Sequence, residues 1–117
     1  MAVTVASELL SPAQFREALR QVVRFREQLP VADPLASAVT RIERNPAYAQ
    51  SRLLTRILVS LTYQQGEFRR AELGALDAET FAMVMSLMDA FDAGTFPRET
   101  WEEAVAAARV AELGAGT

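Results

Sequence analysis

Leu76-Asp77-Ala78-Glu79-Thr80-Phe81-Ala82-Met83-Val84-Met85-Ser86-Leu87-Met88-Asp89-Ala90-Phe91-Asp92-Ala93-Gly94 is the stretch from which the architecture is read. Asp77 places a carboxylate acceptor immediately before the run, and Leu76 and Phe81 stand on either side of it as a hydrophobic staple. Gly94 supplies the residue that most readily takes the left-handed conformation ending a helix. The stretch therefore predicts a helix over 78–93. Phe81, Met83, Val84, Met85, Leu87, Met88 and Phe91 lie almost all round it, so it must be covered on several sides.

The same start signal recurs upstream. Ser11-Pro12, Asp33-Pro34 and Asn45-Pro46 each put a capping side chain before a residue whose φ is already helical. Gln14 completes a capping box with Ser11, and Leu10 and Phe15 flank that cap. The predicted helices are 12–29, ending before Pro30; 34–44; and 46–65, with Gly66 as the stop. A brief helical turn follows at 68–73, and a last helix starts between Pro97 and Trp101 and ends near Leu113, before Gly114. Alternation of apolar and polar residues is confined to 2–5, too short to build a sheet. The expectation is an all-α fold, a single-domain bundle of about five helices spanning 1–117, with 1–10 and 115–117 loosely ordered.

The chain has 117 residues, half of them apolar, with 12 Arg and no Lys, His or Cys. A disulfide framework, a thiolate zinc site, an imidazole base, a catalytic Cys and a Schiff-base Lys are thereby excluded. The 21 Ala and the use of Arg as sole cation fit a GC-rich bacterial coding sequence. No basic residue precedes the mild apolar run at the N-terminus, and no stretch approaches the roughly 20 apolar residues needed to span a bilayer. A cytoplasmic protein is expected.

Each helix face carries two readings. In 12–29, Phe15, Ala18, Leu19, Val22, Val23, Phe25 and Leu29 form a core arc opposite Arg16, Arg20 and Arg24. Arg26 rises from within that arc, where binding the last helix carbonyls explains it. In 46–65, Leu53, Leu54, Ile57, Leu58 and Leu61 form a core stripe, and Tyr48, Arg52, Arg56, Val59 and Tyr63 lie across from it. Tyr and Arg are the types enriched at binding hot spots, so that second stripe is a candidate partner surface; the alternative is a central helix covered on both sides. Met85 and Met88, within the Met-rich helix, are candidates for a homodimer interface, the alternative being core gap-filling. Trp101 with Ala104, Val105 and Ala108 suits close packing against another helix.

Charge is uneven along the chain: 11–70 carries a net +5 and 71–117 a net −7. That polarity can steer a partner, or cancel where the halves pack. Asp89 to Gly94 is not a calcium loop, because Phe91 and Ala93 fall at ligand positions. Adjacent Glu102 and Glu103 diverge on a helix and make no acid/base pair, and five scattered Gly make no phosphate loop. The corner at 44–46, with Arg41, Arg44, Arg52 and Arg56, imitates a helix-turn-helix, but only Gln50 and Ser51 are placed to read base edges.

The strip Gly66-Glu67-Phe68-Arg69-Arg70-Ala71-Glu72-Leu73-Gly74-Ala75-Leu76-Asp77-Ala78-Glu79-Thr80-Phe81 follows a helix containing Ser51-Arg52-Leu53-Leu54. Over about residues 50–92 it resembles a family of short uncharacterised helical proteins from proteobacterial genomes and mobile elements, which share a Phe, then acid-Leu, then Leu-Asp leading into an apolar helix. The resemblance implies no catalytic residue.

The expected function is a non-enzymatic protein-protein interaction protein, phage- or plasmid-encoded, without cofactor or metal, that occludes or bridges a protein partner. A homodimer and no membrane association are expected. The alternative is a DNA-binding regulator using the Arg-rich N-terminal half, with nucleic acid as its partner.

Overall fold

The computed structural model describes residues 9–23 and 30–115. The elements in chain order are β1 (Leu9–Leu10), α1 (Pro12–Val23), α2 (Pro34–Arg44), α3 (Ala49–Tyr63), β2 (Phe68–Arg69), α4 (Ala71–Ala75), α5 (Ala78–Ala93) and α6 (Arg98–Ala115). The fold is all-α, as expected. No described helix is long and apolar enough to cross a membrane.

Local chemistry sets most of the helix starts. Ser11 N–H donates to Gln14 Oε1 at 2.9 Å, and Gln14 N–H donates back to Ser11 Oγ at 3.2 Å, closing the capping box. Asp33 accepts from the Ala36 N–H at 3.2 Å and Asp77 from the Thr80 N–H at 2.7 Å. Residues 24–29, including Arg24, Phe25, Arg26 and Leu29, and residues 2–5 lie outside the described residues.

Five boundaries differ from expectation, the first being the helical turn expected at 68–73: Phe68 and Arg69 pair with Leu9 and Leu10 as a strand, and the helix runs from Ala71 to Ala75. Asn45 does not start α3; its N–H donates to Arg41 O and so ends α2, its carbonyl accepts from Tyr48 N–H, and the helix begins after this turn. At the other end α3 stops at Gln64, which takes φ 55, rather than at Gly66. The Gln64 amide Nε2 donates to Leu61 O at 3.1 Å, which offsets part of the steric cost of a left-handed non-glycine residue. Replacing Gln64 by Gly is accordingly expected to change stability by less than about 1 kcal/mol, relief of strain opposing loss of that bond, as read from a urea midpoint. Gly114 sits inside α6 instead of ending it, because it does not adopt the left-handed conformation. Lastly, Leu9 and Leu10 are ordered as a strand, antiparallel to β2, with Leu10 opposite Phe68. A two-residue ladder has no detectable alternation; burial of Leu10 and Phe68 holds it together.

The long helices then bury the faces assigned to them. α6 packs on α2 and α3, and α2 also packs on α5. The track Trp101, Ala104, Val105 and Ala108 is buried, as are Leu35, Ala38 and Ile42 of α2 and the whole α3 stripe Leu53, Leu54, Ile57, Leu58 and Leu61. At the end of the bundle nearest β2, Phe15 and Phe68 stack with ring centroids 4.1 Å apart at 13°.

The two oppositely charged halves of the chain neutralise each other in the fold. Arg16 reaches Asp92 and Arg20 reaches Asp89 and Asp92, all at 2.7 Å, joining α1 to α5. The ion pair with Asp89 is the main reason the Arg20 guanidinium is held above its ordinary pKa. Arg41 pairs with Asp77 and Glu79 across α2 and α5, and Arg56 with Glu72 of α4.

Candidate interaction surface

The five residues of the predicted Tyr/Arg stripe divide into two groups. Its C-terminal end is consumed inside the chain. Arg56 is paired with Glu72, donates to Glu67 O at 2.6 Å, and lies 5.0 Å above the Phe68 ring. Burial by itself pushes the Glu72 carboxyl up, but the Arg56 guanidinium and the Arg69 N–H outweigh it and hold the group below the ordinary carboxylate value. Val59 is half-buried against the core, and Tyr63 is half-buried with the Arg98 guanidinium 5.6 Å from its ring centroid.

The N-terminal end of the stripe remains open. Tyr48 is 51% exposed, and Arg52, one turn on, is exposed with no carboxylate partner among the described residues. The turn that ends α2 brings Arg44 to the same corner, also exposed and also without a carboxylate among the described residues. Tyr48, Arg44 and Asn45 line an open groove of about 700 Å³ together with Ser37, Thr40, Glu79 and Met83. Its far wall is the first two turns of α5.

Electrostatically this groove is positive at the α2–α3 end, while at the α5 end one guanidinium faces two carboxylates. Arg41 lies between Asp77 at 3.2 Å and Glu79 at 3.1 Å, the latter contact being an ion pair outside hydrogen-bond geometry. Burial pushes the Asp77 carboxyl up, while the Thr80 N–H and Arg41 pull it further down, so it stays ionised as a cap. Ala36, Ala82 and Met83 provide an apolar floor. Nothing in this set pairs an acid with a base for proton transfer; what it offers is a carboxylate-binding guanidinium, an aromatic face and a shallow apolar trough.

Sequence alone does not disclose the groove: Arg44 reads only as part of a helix-turn-helix, and the α2 wall of Ser37, Thr40, Arg41 and Arg44 is an ordinary polar helix face. The opposite wall comes from residues some 35 positions further along the chain.

Two other expectations take a definite place. Gln50 and Ser51, the residues assigned to base edges, are buried: Gln50 donates to Ala75 O at 2.8 Å and accepts from Asp77 N–H at 3.1 Å. They are committed to holding α3 against the start of α5. Met85 and Met88 are 5% and 1% exposed within the single chain. The dimer-interface assignment for Met85 and Met88 is therefore corrected, since a side chain enclosed by its own protomer has no surface left for a second copy. α1, α2 and α3 all pack on α5, and that accounts for its apolar residues on every side.

No family model, curated protein or solved structure matches the chain.

Proposed function

We propose that this chain is a non-enzymatic, cytoplasmic protein-interaction domain that docks an acidic segment of a protein partner along the α2–α5 groove, occluding or bridging that partner. The observation that carries the reading is the uncompensated pair Arg44 and Arg52 beside exposed Tyr48. Arg16, Arg20, Arg41, Arg56 and Arg98 each hold a carboxylate of the chain, whereas these two hold none among the described residues. Such guanidiniums recognise carboxylates bidentately, and an adjoining Tyr supplies contact area at low entropic cost. A DNA-binding regulator is supported less, because Gln50 and Ser51 are enclosed and four arginines of the basic half already face acids.

A fluorescein-labelled Asp/Glu-rich peptide with one apolar anchor, its Asn/Gln counterpart and a DNA duplex, followed by anisotropy, test the reading. The acidic peptide is expected to bind, the neutral one much more weakly, and the Arg44→Glu/Arg52→Glu double variant to lose about tenfold or more in affinity. Unchanged affinity in that folded variant, or tighter binding to the duplex with a steep salt dependence, contradicts it.

A further inference from the structure

At the C-terminal ends of α3 and α5, where the start of α6 meets them, lies a second pocket of about 150 Å³ lined by Thr62, Phe91, Phe96, Arg98 and Trp101, sharing no lining residue with the groove. Three of its five residues are aromatic. Phe91 and Phe96 meet Trp101 edge-on, with centroids 5.5 and 6.2 Å away and both interplanar angles at 81°. Thr62 is 3% exposed and its hydroxyl has no hydrogen-bond partner among the described residues, an unsatisfied donor of the kind native interiors rarely keep without reason. Arg98 is largely exposed, with its guanidinium 5.6 Å from the Tyr63 ring centroid and its Nε donating to Glu102 at 3.2 Å; its terminal nitrogens make no hydrogen bond among the described residues.

Those facts restrict the ligand. A cavity of about 150 Å³ accommodates a single six-membered ring. Aromatic walls favour a flat ring in edge or offset contact. A cationic ligand is disfavoured, because Arg16 already lies 5.4 Å from the Phe91 ring centroid and Arg98 lines the pocket itself. The terminal nitrogens of Arg98 instead call for an oxyanion that a guanidinium bonds bidentately, a carboxylate or a phosphate, and the compact, flat carboxylate is the one that suits a ring in so small a cavity.

We propose that this pocket binds a single-ring aryl carboxylate, its ring among Phe91, Phe96 and Trp101 and its carboxylate on Arg98. Trp101 is the sole tryptophan of the chain, so its emission reports occupancy directly. Benzoate, benzylamine and cyclohexanecarboxylate are titrated into the wild type and into Arg98→Gln and Thr62→Val, each variant first checked for native helicity by circular dichroism. Saturable change in Trp101 emission is expected with benzoate, with at least about tenfold weaker binding for benzylamine, for cyclohexanecarboxylate and for benzoate on Arg98→Gln. Thr62→Val preserves the shape and removes the hydroxyl, and is expected to bind benzoate more weakly than the wild type. No saturable change with benzoate at tens of millimolar, or equal affinity for benzylamine, or undiminished binding by folded Arg98→Gln, overturns the proposal.

Discussion

Met88→Glu is expected to abolish folding rather than to yield a soluble, folded protomer. Met88 is 1% exposed on a helix that α1, α2 and α3 all contact, so a carboxylate there has neither water nor a designed partner. Burying it ionised or keeping it protonated both cost several kcal/mol, and the thioether packing is lost as well. A small domain has only about 5–15 kcal/mol of stability in total. Far-ultraviolet circular dichroism and sedimentation of the refolded variant check this: loss of the helical spectrum or aggregation is expected. A native spectrum with monomeric sedimentation would put Met88 on a surface after all.

The second large effect is at the other end of the core. Phe68 is 1% exposed, stacked at 4.1 Å on Phe15, covered by the Arg56 guanidinium at 5.0 Å, and opposite Leu10 in the only strand pair among the described residues. Phe68→Ala is expected to cost about 3–5 kcal/mol, the usual range for removing a buried ring with incomplete collapse of the cavity. Arg56→Ala, which removes the cation above the ring, a partly exposed ion pair and the bond to Glu67 O, is expected to cost about 1–2 kcal/mol. Urea denaturation with unchanged slope separates the two. Equal midpoints for the two variants would mean that the Phe15–Phe68 stack contributes little.

These effects also show where sequence reading succeeds and stops. Ser11, Asp33 and Asp77 announce helix starts because a cap is satisfied within three residues of itself, so its whole physics is local. The α3 stripe and the Trp101 track are visible for the same reason, since one helix face follows from a fixed rotation per residue. Asn45-Pro46 carries the same local signal and yields a turn, because the end of α2 claims the Asn45 N–H first. Gly66 looks like the better stop, but Gln64 arrives earlier and bonds its own helix end. Periodicity shows that Met85 and Met88 must be covered; whether by the same chain or by a copy is a question of tertiary placement that no single helix records.

The surfaces were still less legible. The sequence singles out Tyr48 and Arg52 together with Arg56, Val59 and Tyr63, because one helix stripe does not reveal which of its members meet Glu72 or Arg98 from elsewhere in the chain. Sequence polarity exaggerated the available positive charge for the same reason: Asp77, Glu79, Asp89 and Asp92 all fold back onto the basic half. Arg44 and Arg52, which hold no carboxylate among the described residues and flank exposed Tyr48, are the basis of the proposed docking surface.

Docking of an acidic segment in the α2–α5 groove is tested most directly by nuclear magnetic resonance mapping of the labelled chain against the Asp/Glu-rich peptide. Saturating amide shifts are expected to cluster at Thr40, Arg44, Asn45, Tyr48, Glu79 and Met83, and to vanish with the Arg44→Glu/Arg52→Glu variant. Shifts that cluster instead on the exposed α6 residues Val110 and Leu113, or that persist in the double variant, would contradict it.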